Sequence, residues 1–281
     1  KGMYKYEFEV PEKFRGKQVN LVFEASMTDT EVKVNGRKVG SKHQGAFYRF
    51  SYNVTDFLKY GKKNLLEVTV AKESENASVN LAERRADYWN FGGIFRPVFL
   101  EVKPAVNLRH IAIDAKMDGT FRANCYTNIS NDGMSIRTQI LDKKGKKITE
   151  TTVPVKAGGD WTSLQLNVSD PALWTAETPN LYKAEITLLH KGKVIDNVTE
   201  TFGIRTLEYS PEFGFKLNGK KLFLKGIANH HDLGAVGAAA FDRAIERQFE
   251  LLKKFGYNHV RTSHNPYSKS FLELADKHGI L

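Results

Sequence analysis

The chain has a single cysteine, Cys125, and no long apolar run. One cysteine excludes an intrachain disulfide and is compatible with a reducing compartment or with a secreted protein that needs no disulfides. No stretch approaches the roughly 18 apolar residues of a membrane-spanning helix. Lys1 opens the chain without a signal-peptide pattern, so we expect a cut or processed N-terminus. The compartment stays open, and our expectation favours the periplasm or secretion over the cytoplasm.

Basic residues exceed acidic ones, with 42 Lys and Arg against 32 Asp and Glu and a net charge of +10. Such an excess makes nucleic acid or an acidic polysaccharide conceivable partners. The lysines are spread through apparent turns, however, as in residues 142–147, DKKGKK, which a charged hairpin tip explains. No recognisable nucleic-acid motif accompanies them. We therefore predict no nucleic-acid partner.

Residues 1–104 show short alternating apolar and polar runs separated by turn residues. Residues 19–24, 31–34 and 65–70 are representative strands, and Asn35-Gly36 is a strong two-residue hairpin signal. Phe47, Tyr48, Phe50 and Tyr52 alternate as they would on one strand, which favours core and cross-strand packing. This region is predicted to be a β-sandwich.

Residues 105–205 form a second predicted β region, which begins after Lys103-Pro104. Alternation over 121–126, 136–141 and 184–189 suits an immunoglobulin-like β-sandwich. Trp174, in a loop before a strand, is interpreted as a packing anchor. The region offers no catalytic grouping, and we interpret it as a spacer.

The segment 83–98, ERRADYWNFGGIFRPV, breaks this alternation. Aromatic faces can stack on pyranose rings while charged groups bind hydroxyls, so a loop of this composition can contact a sugar. A buried ion network of Arg84, Arg85 and Asp87 explains the same residues. Composition alone leaves the two interpretations equal.

Residues 206–281 alternate between predicted strands and helices. An apolar run at 221–228 ends in Asn229-His230-His231-Asp232, and a helix follows from Asp242 to Gly256. Residues 257–260 lead into 261–266, RTSHNP, and a second helix ends at Gly279 before a third strand that begins at Ile280. Parallel strands with helical crossovers place both polar clusters at one edge of the sheet, where ligands bind. A complete eight-stranded α/β barrel needs about 250 residues, so we expect only the beginning of one.

Five ordered motifs together resemble glycoside hydrolase family 2, the family of β-galactosidases, β-glucuronidases and β-mannosidases. They are DYWNFGGIFRPV at 87–98, LW at 173–174 with PNLY at 179–182, FGIR at 202–205, NGK at 218–220 through HHDLG at 230–234, and VRTSHNP at 260–266. The resemblance covers nearly the whole chain. It implies a sugar-binding jelly roll over 1–104, an immunoglobulin-like sandwich over 105–205 and an incomplete (β/α)8 catalytic barrel over 206–281.

The resemblance also implies residue roles. Asp87 would reach the barrel mouth and bind sugar hydroxyls, in some relatives beside a monovalent cation; a monovalent or divalent cation is thus the one cofactor conceivable in the complete enzyme. His230, Arg261 and His264 would hold the sugar or brace catalytic carboxylates, and Trp89, Asn90 and Asp232 could add contacts. His231 stands where many relatives have an acidic residue, which leaves its role open.

The structural alternatives for these residues are specific. His230 and His231 are adjacent and would point to opposite sides of a strand, which argues against a two-histidine metal site. His264 could cap a turn, and Arg261 could belong to a barrel layer.

Retaining glycosidases need two carboxyl groups about 5–5.5 Å apart. In the family both glutamates lie on later barrel strands. Here Glu246, Glu250 and Glu273 are predicted on crossover helices, and Glu208 and Glu212 precede the first barrel strand. We therefore predict no catalytic residue in this chain. The expected function is that of the N-terminal part of a β-galactosidase-like retaining glycosidase, inactive alone, with a carbohydrate substrate and a conceivable homo-oligomeric state. The alternative is a non-catalytic carbohydrate-binding or adhesion module.

Overall fold

The computed structural model describes residues 1–85, 89–239 and 241–281. They form two compact units. The first comprises residues 1–105, 228–247 and 261–272, and the second comprises 106–227, 248–260 and 273–281. The predicted division at residues 104 and 205 stays a prediction.

Residues 1–105 contain two β-sheets whose inner faces carry the alternating apolar residues. The strands are β1 (Gly2–Glu9), β2 (Gln18–Phe23), β3 (Asp29–Val34), β4 (Arg37–Lys38), β5 (Phe50–Asn53), β6 (Lys63–Ala71) and β7 (Val98–Lys103), with the helix α1 (Ala77–Glu83) and single 3-10 turns at Glu12–Phe14 and Thr55–Phe57. One sheet has the order β1-β6-β3-β4 and the other β5-β2-β7. Val19, Phe23, Val34 and Val68 are buried in the core of this sandwich.

The predicted hairpin at Asn35-Gly36 is confirmed. Val34 pairs with Arg37, so the two residues between them form the whole turn between β3 and β4. Asn35 and Gly36 have φ values of 53° and 79°. This is the left-handed backbone that a two-residue turn requires and that Asn and Gly tolerate best.

The second unit contains a β-sandwich over residues 108–202. Its strands are β8 (Leu108–Ala115), β9 (Thr120–Thr127), β10 (Met134–Leu141), β11 (Lys147–Pro154), β12 (Thr162–Asn167), β13 (Tyr182–His190) and β14 (Lys193–Phe202). They form the sheets β12-β9-β8 and β11-β10-β13-β14. Phe121, Cys125, Ile136 and Ile186 lie fully buried in the core. Burial raises the pKa of the Cys125 thiol to about 12, so it remains protonated and serves as a packing residue.

Trp174 is a packing anchor, as predicted. Its side chain is fully buried, and its indole Nε1 donates a hydrogen bond of 2.7 Å to the Asp276 carbonyl. The Arg205 guanidinium lies 4.3 Å from the ring centroid.

The described residues of 206–239 and 241–281 form five strands and two helices. These are β15 (Leu207–Ser210), β16 (Gly214–Leu217), β17 (Lys220–Lys221), β18 (Gly226–Asn229), β19 (His259–Thr262), α2 (Asp242–Lys254) and α3 (Lys269–His278), with a 3-10 turn at Gly234–Val236. Both helices were predicted. Gly256 and Gly279, with φ values of 82° and 68°, follow their C-terminal ends as expected.

The predicted continuous strand over 221–228 is wrong. Lys220–Lys221 pairs with β16, and Gly226–Asn229 pairs instead with β19. The apolar run therefore crosses from one sheet to the next, and Phe223, in the connection between them, is 78% exposed. Ile280 and Leu281 are not assigned to a strand either. Leu281 nevertheless exchanges backbone hydrogen bonds with Asn258 and Val260, both of 2.9 Å, as a third parallel strand would.

Among the described residues, no helix has the length and apolar character needed to cross a bilayer.

Candidate functional site

The carboxyl ends of β18 and β19 lie side by side. Asn258 donates to the Lys225 carbonyl at 3.0 Å and Ser263 to the Asn229 carbonyl at 2.9 Å, so the strands run parallel. The polar residues that follow each strand therefore meet at one edge. His230 and His264 lie with their ring centroids 5.6 Å apart and their planes at 72°. The structure thus brings together two of the predicted sugar-binding residues.

Arg261 belongs to the same group. Its guanidinium donates to Ser263 Oγ at 3.1 Å and lies 3.4 Å from His264 Nδ1, which can accept in the tautomer protonated at Nε2. Arg261 and His264 are both exposed. A permanent cation at a strand end can bind a hydroxyl or orient a carboxylate and favour its charged form. We name His230, Arg261 and His264 the strand-end cluster.

The other predicted contacts are placed less directly. Asp87 lies outside the described residues. Trp89 is 78% exposed, whereas Asn90 is half-buried and its Nδ2 donates to the Arg84 carbonyl at 3.0 Å. Asn90 thus shapes its own loop. Asp232 is half-buried, and its charge contributes to raising the pKa of Tyr267, although burial contributes more.

The loop 83–98 begins with buried charged residues. Glu83 and Arg84 are both buried, and Glu83 accepts a hydrogen bond of 2.7 Å from the Ala46 amide. Arg84 Nη2 donates to the Phe91 carbonyl at 2.5 Å. Arg84 is thus buried, as the ion-network interpretation expects, but Arg85 is exposed and Asp87 lies outside the described residues, so the predicted network of these three residues stays a prediction. Trp89 remains available to a ligand.

His231 occupies a different environment from His230, as predicted for adjacent residues. Its ring lies 4.4 Å from the Phe47 centroid and 4.2 Å from the Tyr267 centroid. Burial lowers the pKa of His231 to about 4, helped by the nearby Arg96 cation and opposed by a hydrogen bond with the Asn265 backbone. Its role, left open by the sequence, is that of a neutral packing residue at neutral pH.

Arg96 is the residue that sequence reasoning missed. Its guanidinium donates to the Phe47 carbonyl at 3.1 Å and to the Pro266 carbonyl at 3.2 Å. Burial lowers the pKa of Arg96 to about 10, which still leaves it charged at neutral pH. Arg96 therefore ties the segment after the Gly92-Gly93 turn to the loop that carries His264. The sequence signal that could have identified Arg96 is its position in the motif FGGIFRPV at residues 91–98.

We expect Arg96→Met to destabilise the protein by about 2 kcal/mol, because two carbonyl groups lose a charged donor. Amide hydrogen exchange of residues 263–267 should accelerate, since Pro266 is released. Urea unfolding and exchange mass spectrometry measure the two effects. Arg49→Met is the matched control: Arg49 is partly exposed and its ion pairs with Glu24 and Glu101 span 3.6 and 3.3 Å, so its loss should cost less than about 1 kcal/mol. Equal effects of both variants would contradict the assignment.

The glutamates lie where the sequence predicted. Glu246 and Glu250 are on α2, Glu273 is on α3, Glu208 is on β15, and Glu212 is in the turn after it. None of these positions is at the carboxyl end of β18 or β19. In the described part of the chain, no group of three His, Cys, Asp or Glu side chains could hold a metal ion.

Three models of one protein family match successive parts of the chain. Residues 1–104 match the sugar binding domain of glycosyl hydrolases family 2, residues 106–205 match a further glycosyl hydrolases family 2 domain, and residues 212–281 match its TIM barrel domain. The chain belongs to glycosyl hydrolases family 2. Its fold is accordingly a jelly-roll sandwich, an immunoglobulin-like sandwich and part of a (β/α)8 barrel, and the barrel is not closed.

Individual proteins of family 2 are similar to nearly the whole length of this chain. The chain is 32% identical to a β-galactosidase of Thermoanaerobacter pseudethanolicus and 31% identical to a β-galactosidase of Bacteroides ovatus, over 99% and 100% of its length. It spans 38% and 33% of those relatives. Among solved structures, a family 2 member from Bacteroides cellulosilyticus matches with a TM-score of 0.87 and 30% identity, over 99% of this chain and 39% of that one. A β-glucuronidase of Bacteroides uniformis, covalently bound to cyclophellitol-6-carboxylate aziridine, matches with a TM-score of 0.86 and 28% identity, over 99% and 35%.

Proposed function

We propose that the chain acts as the sugar-binding and scaffolding part of a retaining β-glycosidase that hydrolyses terminal β-linked sugars, with a β-galactoside as the favoured substrate. The observation that supports this most is the strand-end cluster in a family 2 barrel segment. Relatives named β-galactosidase and β-glucuronidase leave the sugar open between these classes. The cluster offers one permanent cation and two imidazoles, which suit hydroxyl and carboxylate partners.

In this proposal the strand-end cluster binds and orients but does not carry out the bond cleavage. His230 and His264 bind sugar hydroxyls, and Arg261 orients a carboxylate and keeps it ionised. The acid/base and nucleophilic carboxyl groups, about 5–5.5 Å apart in a retaining enzyme, come from barrel strands beyond those described here. Asp87 remains a proposed contact to the glycone.

A hydrolysis assay tests the proposal. Residues 1–281 should give no turnover of chromogenic β-galactoside, β-glucuronide or β-mannoside above buffer. A polypeptide that continues through the remaining barrel should hydrolyse one of them, the β-galactoside fastest. Turnover by residues 1–281 would contradict the proposal that the catalytic carboxyl groups lie on later barrel strands. If the longer polypeptide hydrolyses none of the three substrates, the proposed glycosidase activity itself is contradicted.

A non-catalytic carbohydrate-binding module is the second candidate, and the match of residues 1–104 to a sugar binding domain favours it. It predicts that residues 1–104 alone bind oligosaccharides, which calorimetric titration measures. Millimolar or tighter binding by this region is not expected if it only completes a barrel-mouth site.

A further inference from the structure

The sheet β12-β9-β8 presents an outer face on the far side from the sandwich core. Along β9 the side chains of Phe121, Ala123 and Cys125 point into the core and are buried. The intervening side chains on β9 and on its two neighbours are exposed or half-buried. Strand pairing arranges these outward residues in three rows across the sheet.

The first row is aromatic. Tyr126 pairs with His110 on β8, and Trp161 immediately precedes the residue that pairs with Cys125. The Tyr126 ring centroid lies 5.6 Å from His110 and 6.0 Å from Trp161, with interplanar angles of 39° and 40°. Trp161 is 52% exposed. The row thus offers ring surface to solvent from β8, from β9 and from the residue that precedes β12.

The second row has small side chains. It consists of Ser163, Asn124 and Ala112, which are paired across the sheet. Ser163 Oγ donates to Asn124 Oδ1 at 2.7 Å. The amide nitrogen of Asn124 carries two N–H groups that can donate to a ligand. Small side chains beside a row of rings leave room for a ligand to lie flat on the sheet.

The third row is polar and balanced in charge. Arg122 pairs with Gln165 on one side and with Asp114 on the other. Arg122 Nε donates to Gln165 Oε1 at 3.1 Å, and Asp114 has a salt bridge of 2.9 Å to Lys116. Arg122, Asp114 and Lys116 bring charges of both signs to this row, so it has no cluster of one sign that would select an acidic or a basic ligand.

We propose that this face binds a neutral oligosaccharide of pyranose units. A pyranose has an apolar face of C–H groups, which stacks on aromatic rings, and an edge of hydroxyl groups, which bonds to amide, hydroxyl and guanidinium groups. The three rows provide both kinds of partner within one sheet. Aromatic cross-strand pairing also stabilises a sheet, but stabilisation alone needs neither the exposed indole nor the polar row beside it.

The site is independent of the proposed glycosidase chemistry, because it lies on strands within residues 108–167. Binding at this face would hold a polymeric carbohydrate on the protein without cleaving it. Binding at this face can therefore succeed or fail separately from turnover.

The test is a titration of residues 1–281 with cellotetraose and with β-1,4-galactotetraose. In a Trp89→Phe background, ligand-dependent fluorescence reports on Trp161, since Trp174 is fully buried. We expect saturable binding, and we expect Trp161→Ala to weaken it at least about tenfold by calorimetry. Tyr209→Ala, which removes an aromatic side chain that is 84% exposed elsewhere, is the matched control and should leave binding unchanged.

Three results of the titrations would overturn the proposal. They are no binding of either tetrasaccharide by folded protein at millimolar concentration, binding by the Trp161→Ala and Tyr126→Ala variants that is as tight as that of the unchanged protein, and tighter binding of an acidic oligogalacturonate than of both neutral ligands. Sedimentation that shows a dimer dissociated by Trp161→Ala would assign the face to a second copy and would overturn it as well. Retention of binding in His264→Ala separates this face from the strand-end cluster.

Discussion

Replacing Trp174 by alanine should lower the free energy of unfolding of the second unit by about 4 kcal/mol. The indole is fully buried, so its removal leaves a large cavity that the surrounding β-structure can fill only in part. The change also leaves the Asp276 carbonyl without its donor at 2.7 Å and removes the ring beneath the Arg205 guanidinium. Urea unfolding followed by far-UV circular dichroism measures the change in midpoint.

Trp161→Ala is the control for this prediction, because it removes the same side chain from a site that is 52% exposed. Its cost should stay below about 1 kcal/mol, as for most surface substitutions. Similar midpoints for the two variants would show that burial of Trp174 does not anchor this unit. A shift of less than about 1 kcal/mol for Trp174→Ala would lead to the same conclusion.

The features that the sequence predicted correctly depend on residues close together in the chain. The Asn35-Gly36 turn requires only two left-handed residues between paired strands. The helices α2 and α3 follow from apolar spacing and from the glycines after them. The convergence of His230 and His264, which are distant in the chain, was predictable for another reason: parallel strands place their carboxyl ends at one edge.

The features that the sequence did not predict depend on distant partners. The run 221–228 is apolar, which indicates a strand, yet its two ends pair with different sheets and Phe223 lies exposed between them. Phe47, expected to alternate along one strand with Phe50, lies outside β5 and packs against His231 instead. The local pattern of apolar and polar residues is the same whether an aromatic residue lies on a strand or, like Phe47, packs against a residue distant in the chain. Only the fold itself brings residues 47, 96, 231 and 267 together.

This buried group has a consequence for the strand-end cluster. His231 follows His230 directly, and Arg96 holds the carbonyl of Pro266, two residues after His264. Tyr267 packs on His231, and its hydroxyl donates to the Asn229 carbonyl at 2.7 Å. The positions of His230 and His264 therefore depend on a packed core in which His231 is neutral. Protonating His231 places a buried cation beside the half-buried Arg96 guanidinium.

We expect the stability of the protein to fall by about 2 kcal/mol between about pH 7 and about pH 5 through His231 alone. Its pKa is about 4 in the folded state against an ordinary value of 6.5. Between these values the unfolded state binds more protons, so stability is lost as the pH falls below about 6.5 and levels off only below about 4. Phenylalanine keeps an aromatic ring between Phe47 and Tyr267 but does not titrate, so His231→Phe should lose this component.

Urea unfolding of both proteins at the two pH values measures the effect as a difference of differences, in which the carboxylates common to both proteins cancel. Hydrogen exchange of residues 263–267 should accelerate at the lower pH in the wild-type protein and much less in His231→Phe. Identical pH dependence in the two proteins would show that His231 is already accessible to solvent in the folded state. The strand-end cluster would then owe its geometry to Arg96 and the two strands, without a contribution from a neutral imidazole.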